Sequence, residues 1–207
     1  MNENILLENL QKKKMVAALK EPRYIEKVVK YKHNLGAALL MTGTILTVKR
    51  YVDFLQKNGL PVILHVERIG GLEMDKDGID FVKKYVRPAA IVSTNQGIIK
   101  RAKKAGLFVV QRVFLIDTDV YLHLVQDPRN IQADIIEIMP SRAPDFIEKL
   151  SKISPVPIIT GGLLSLPEHA KSAFEHGAAA VSTSNPEMWK LDLNQLEIGG
   201  KRETCQL

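Results

Sequence analysis

Disulfides, zinc clusters and membrane spans all need residues that this chain has in short supply. It carries a single cysteine, Cys205, in a polar C-terminal stretch. One thiol excludes an internal disulfide and weighs against a cysteine-rich metal site. No apolar run approaches the roughly 18 residues of a membrane span. The start, Met1-Asn2-Glu3-Asn4, has neither the basic opening nor the apolar centre of a signal peptide. The expected compartment is therefore the cytoplasm, with no membrane partner. Aromatic residues make up only 6% and are sparse near the basic stretches, which argues against stacking recognition of single strands. Asp75-Lys76-Asp77-Gly78 resembles the start of a calcium loop but lacks the remaining ligands. No spacing supports a metal, and no cofactor is expected.

What is present is ordinary globular material. The chain has 207 residues, 45% hydrophobic and 25% charged, enough apolar content for a sizeable core. Net charge is +6, from 29 Lys+Arg against 23 Asp+Glu. That balance fits either a solvated lysine-rich surface or a polyanionic partner.

Short apolar runs recur along the whole chain, at 15–19, 35–40, 61–66, 89–94, 107–114, 133–139, 155–162 and 179–184. Runs apolar on both faces suit parallel strands covered by helices. Helical patterns lie between them. One places Val48, Val52 and Leu55 on a stripe, and another runs from the cap Asn95 to Ala105. A leading helix precedes the first run. Eight repeats favour a closed (β/α)₈ barrel of the TIM type over an open sheet. The barrel is expected over residues 1–193, with a mobile polar tail over 194–207. Ala90-Ile91-Val92-Ser93-Thr94-Asn95 resembles Ala180-Val181-Ser182-Thr183-Ser184-Asn185, at the fourth and eighth runs, as a half-barrel repeat would.

The last two runs end abruptly in small residues. Ile158-Ile159-Thr160 leads into Gly161-Gly162, and Ala180-Val181 leads into Ser182-Thr183-Ser184. Ser165-x-x-Glu168 fits a capping box, and Asn185-Pro186-Glu187 reads as a second helix start. Bare backbone N–H groups, hydroxyls and helix N-termini together suit a phosphate. The plain alternative is a tight turn with hydroxyl caps.

Several charges sit at strand ends. Arg112 and Glu137 interrupt apolar runs on successive strands, so they must pair with each other or with a ligand. His65 and Glu67 lie two residues apart, suited to acid–base work or to a hydrogen-bonded rim pair. Lys20 ends the first run and reads as a rim cation more readily than as a Schiff-base lysine. Lys83, Lys84 and Arg87 lie on one proposed helix, and Lys100, Arg101, Lys103 and Lys104 on the next. Together they make either a solvated face or a candidate RNA surface.

The chain resembles the glycerol uptake operon antiterminator family over most of residues 12–190. The marks are Ile91-Val92-Ser93-Thr94, Gln111-Arg112-Val113-Phe114-Leu115-Ile116-Asp117, Ile136-Glu137-Ile138-Met139-Pro140, Ile158-Ile159-Thr160-Gly161-Gly162-Leu163, and Val181-Ser182-Thr183-Ser184 with Trp189. It departs from the family pattern at Glu67-Arg68, Thr160 and Ser141. The resemblance implies a cytoplasmic bacterial regulator that, with glycerol 3-phosphate bound, acts on leader mRNA so that transcription passes a terminator. On that reading Gly161, Gly162, Ser182, Thr183 and Ser184 hold the phosphate, while Arg112, Glu137, His65, Glu67 and Lys20 address the glycerol end. A contact between copies of the chain, in a homo-oligomer, is one candidate carrier of the signal. The alternatives are a barrel isomerase or synthase acting on a small phosphorylated substrate, and a ligand sensor working through protein partners.

Overall fold

The apolar runs become strands because their branched residues pack on both sheet faces, and the glycines and prolines between them end each run. The computed structural model describes residues 2–126 and 131–196. Strands β1 (Met15–Leu19), β2 (Ala37–Leu40), β3 (Val62–His65), β4 (Ala90–Ser93), β5 (Val109–Phe114), β6 (Ile135–Met139), β7 (Ile158–Gly161) and β8 (Ala180–Thr183) form one closed barrel in sequence order. Every neighbouring pair is parallel, including β8 with β1. This is the compact TIM-type (β/α)₈ fold that the eight runs predict.

Helix α1 (Asn2–Lys13) precedes the barrel, and α2 (Tyr24–Val29) and α3 (Val48–Lys57) follow β1 and β2. Helix α4 (Lys76–Asp80) continues into a π-helical turn, Phe81–Val86. Then come α5 (Gln96–Lys104), α6 (Thr118–Gln126), α7 (Pro144–Ile153) and α8 (Pro167–Glu175). No α-helix follows β8 among the described residues; short 3₁₀ turns stand there instead, at Met188–Lys190 and Leu193–Gln195. The second turn binds the start of the expected tail, because Asn194 Nδ2 donates to Lys12 O at 2.8 Å. Residues 197–207 of that tail, with Cys205, lie outside the described residues.

The strands carry two cores. One, between strands and helices, contains Met15, Ala17, Leu19, Leu64, Val109, Ile138 and Val181. The other fills the barrel, with Val16, Ala18, Leu39, Ile63, Val92, Val110, Ile135, Ile159 and Ala180. The two-residue strand period separates them. Leu6 and Leu10 of α1 join the interior cluster, so α1 closes the N-terminal end of the barrel. Gly36 admits this approach, since a Cβ there would meet Asn9 O at 2.8 Å. No helix among the described residues is long and apolar enough to cross a membrane.

Candidate functional site

The inward positions of the barrel change character near the C-terminal ends of the strands. Two residues beyond Ala18, Leu39, Ile63, Val110, Ile135, Ile159 and Ala180 come Lys20, Met41, His65, Arg112, Glu137, Gly161 and Ser182. The same parity that fills the lower barrel with aliphatic groups thus gathers five polar side chains into its top layer. Above this layer opens a cavity of about 590 Å³, lined by Lys20, Arg68, Arg112, Gly162, Leu163, Ser182, Ser184 and Asn185 among others.

Arg112 and Glu137 are register partners on β5 and β6, and both are buried. Arg112 Nε donates to Glu137 Oε2 at 2.9 Å. Nη2 lies 2.8 Å from the same oxygen, so the two nitrogens share it in a buried ion pair. The other carboxylate oxygen accepts from Ser182 Oγ at 2.6 Å. Glu137 is therefore paired with one cation and one hydroxyl donor and does not line the cavity, whereas Arg112 does.

Gly161 has a different reason to be glycine from the expected phosphate contact. A Cβ there would stand 2.0 Å from Ser182 Oγ, so the residue makes room for the hydroxyl that reaches Glu137. Gly161 does not line the cavity; Gly162 does, with φ at +73°. Leu163 follows in the left-handed region at φ 57°, which costs a non-glycine residue about 1–2 kcal/mol. This turn exposes backbone at the mouth: the N–H groups of Gly162, Leu163 and Ser184 have no acceptor among the described residues.

The expected helix starts are corrected by the structure. Ser165 is not a cap; α8 begins at Pro167 after Leu166, without a side-chain cap. Ser165 N donates instead to His169 Nδ1 at 3.3 Å. Asn185 does cap, accepting from Glu187 N at 3.1 Å, but the segment winds only into the 3₁₀ turn Met188–Lys190. The β8 end therefore offers backbone and hydroxyls, with no α-helix N-terminus among the described residues. Thr183 lines the cavity, but its hydroxyl donates to Leu164 O and accepts from Asn185 N, tying the β7 turn to β8.

The two echo segments make one matching local contact. Asn95 N donates to Ser93 Oγ, and Asn185 N donates to Thr183 Oγ1, in the same place after β4 and β8.

His65 and Glu67 face each other away from the cavity lining, with Nδ1 3.0 Å from Oε2. Burial pushes the Glu67 carboxyl up. The His65 contact, the Ser93 hydroxyl and the Thr94 N–H outweigh it and hold the group at about 2. Glu67 Oε1 accepts from Ser93 Oγ at 2.5 Å and from Thr94 N at 2.9 Å, so it braces β3 against β4. Of the five residues expected at the glycerol end, Lys20 and Arg112 reach the cavity, and Glu137, His65 and Glu67 stand behind it. Arg68, in the 3₁₀ turn Val66–Arg68 after β3, also lines it. The sequence marked it as a departure from the family pattern and assigned it no contact.

The basic helices lie outside the barrel. Lys83 Nζ reaches Ala105 O, so the turn after α4 and the end of α5 share one face. Four of the seven cations there bind neighbours: Lys83 as stated, Lys84 with Asp80, Arg101 with Met74 O, and Lys103 with Asp134. Arg87 takes φ 56° where the π-helical turn ends. Lys100 and Lys104 are exposed and have no such partner among the described residues.

Residues 15–189 match the model of the glycerol-3-phosphate responsive antiterminator family. A glycerol uptake operon antiterminator regulatory protein from Listeria monocytogenes is 30% identical, with a TM-score of 0.78 over 85% of this chain and 94% of that one. A glycerol uptake operon antiterminator-related protein from Thermotoga maritima is 26% identical, with a TM-score of 0.74 over 86% of this chain and 99% of that one. An uncharacterized Escherichia coli K12 protein, YgcP, is 26% identical over 90% of this chain and 96% of its own length. On the match from β1 through Trp189, the chain belongs to the glycerol-3-phosphate responsive antiterminator family.

Proposed function

We propose that this chain is a cytoplasmic regulator that binds glycerol 3-phosphate at the barrel mouth and, in that state, acts on leader mRNA to carry transcription past a terminator. The observation that carries the effector half is the make-up of the cavity. Among the described residues its lining has three cations, Lys20, Arg68 and Arg112, and no carboxylate. Beside them lie the acceptor-free N–H groups of Gly162, Leu163 and Ser184. Such a surface suits a phosphate monoester, held by charge-assisted hydrogen bonds of about 1.5–3 kcal/mol each.

The enzyme alternative draws less support from the same residues. Acid–base catalysis needs a group within hydrogen-bond reach of the substrate. Glu137 is paired with Arg112 and hydrogen-bonded by Ser182, and Glu67 is bound to Ser93 and Thr94.

The RNA half rests on family membership and on the basic face carrying Lys100 and Lys104. An effector shifts RNA binding only through different affinities for two conformations. The strand-end loops of the mouth, or a contact between copies, would carry that difference. The test is the affinity of the chain for its leader RNA with and without saturating glycerol 3-phosphate. A change of roughly 5- to 150-fold is expected. An unchanged affinity with effector bound would rule the coupling out.

A further inference from the structure

Ser141 stands just past β6 and is buried. It is one of the positions at which the chain departs from the family pattern. It does not line the cavity, yet it grips a peptide that does. Ser141 Oγ donates to Gly162 O at 2.7 Å, and Ser141 N donates to the same oxygen at 3.2 Å. Gly162 O and the Leu163 N–H belong to one peptide unit. The bond is trans, so the two point in opposite directions. Strand β7 lies between β6 and β8. A carbonyl held towards β6 therefore turns the Leu163 N–H towards the β8 side of the turn. The β7–β8 ladder has ended there, its last register pair being Gly161 with Ser182. The Leu163 N–H accordingly has no acceptor among the described residues, and it stands on the side where the Ser184 N–H also lacks one.

The backbone alone does not favour this orientation. Leu163 holds φ at 57°, the left-handed region, where its Cβ crowds the chain. A flip of the Gly162–Leu163 peptide changes φ of Leu163, relieves that crowding and swings the N–H away from the mouth. The Leu163 side chain is 73% exposed, so packing does little to hold it. The two bonds from Ser141 are what restrain the peptide. We propose that Ser141 is a positioning residue for the effector phosphate: its hydroxyl locks the Gly162–Leu163 peptide so that the Leu163 N–H already faces the phosphate site before the ligand arrives. A donor fixed in advance spares the ordering cost of binding, so its loss is read as affinity. The inference rests on the mouth being the phosphate site and adds the residue that pre-organises it.

The test titrates glycerol 3-phosphate calorimetrically into the full chain, into Ser141→Ala, and into Ser141→Ala combined with Leu163→Gly. Amide hydrogen exchange is followed at Leu163 and Ser184 with and without saturating ligand. Ser141→Ala keeps the backbone bond to Gly162 O and removes the hydroxyl. It weakens glycerol 3-phosphate by roughly threefold to tenfold, the range of one neutral hydrogen bond. In that variant the Leu163 amide loses most of the protection that ligand gives it in the native chain, while Ser184 keeps its own. Adding Leu163→Gly recovers part of the affinity, because glycine holds a positive φ without steric cost. A merely structural role for Ser141 lowers protection at Leu163 and Ser184 alike. That result, an unchanged affinity in Ser141→Ala, or no recovery with Leu163→Gly overturns the positioning role and leaves the mouth as the phosphate site. If the native chain binds no glycerol 3-phosphate, the mouth itself is overturned as the effector site.

Discussion

The two ends of the barrel are made by the same eight strands and are built on opposite terms. At the N-terminal end α1 lays Leu6 and Leu10 over an aliphatic interior. At the C-terminal end the barrel opens into the cavity, and the inward positions turn to Lys20, His65, Arg112, Glu137 and Ser182. The closed end gains stability from apolar burial, about 25 cal/mol per Å² removed from water. The open end gives some of that up, because it buries the charged pair Arg112–Glu137. A buried ion pair is weak support for stability and is often neutral against a well-packed apolar replacement. The comparison teaches that the polar layer is retained for what it contacts rather than for the fold.

That contrast can be broken most strongly at Glu137. Glu137→Ala strands Arg112 as an uncompensated buried charge, and the expected loss is about 3–5 kcal/mol in denaturant unfolding. Replacing both partners, as Arg112→Met with Glu137→Leu, is expected to restore most of that stability while abolishing effector binding. A stable double variant that still binds would contradict the account of this layer.

Leu6→Ala acts on the closed end. It should cost about 2–4 kcal/mol, the range for a buried leucine, and leave effector affinity unchanged. Loss of affinity at constant fold would show that the two ends are coupled.

Gly161→Ala tests the hidden role of the first glycine. The added Cβ displaces Ser182 Oγ from Glu137, at an expected cost of about 1–3 kcal/mol. The Gly161→Ala, Ser182→Ala double variant should recover part of that loss, because the atom met first is gone. A recovery of nothing would place the clash elsewhere in β8.

The effect confined to acid pH is at Glu67. Its carboxyl is held at about 2 against an ordinary 4.5, so its contribution is present above about 4.5 and fades as pH falls towards 2. Glu67→Gln should flatten the acid limb of a stability–pH curve over that window and leave the curve above pH 5 parallel to the native one. An acid limb as steep as the native one would mean that other carboxylates set it.

The barrel was legible because eight apolar runs of strand length are a non-local pattern that survives local error. The polar layer was legible for a related reason: Arg112 and Glu137 interrupt apolar runs, and burial makes such interruptions costly enough to need partners. The finer features depend on neighbours that the sequence does not bring together. Gly161 is glycine because of Ser182 on the next strand, 2.0 Å from where its Cβ would be. Ser165 and Glu168 have capping-box spacing, yet the helix starts at Pro167 after Leu166, and Ser165 N donates to His169. Asn185-Pro186-Glu187 has the composition of a helix start, but the chain turns after one 3₁₀ turn and Trp189 Nε1 locks to Thr183 O. Arg68 reaches the mouth only because a 3₁₀ turn follows β3.

The difference between the two ends is tested most directly by amide hydrogen exchange with and without glycerol 3-phosphate. Gly162, Leu163 and Ser184 bear N–H groups without acceptors among the described residues, and α1 is the far end of the same barrel. The account predicts new protection at these three amides and none in α1. Protection confined to other segments, or none at saturating effector, would contradict it.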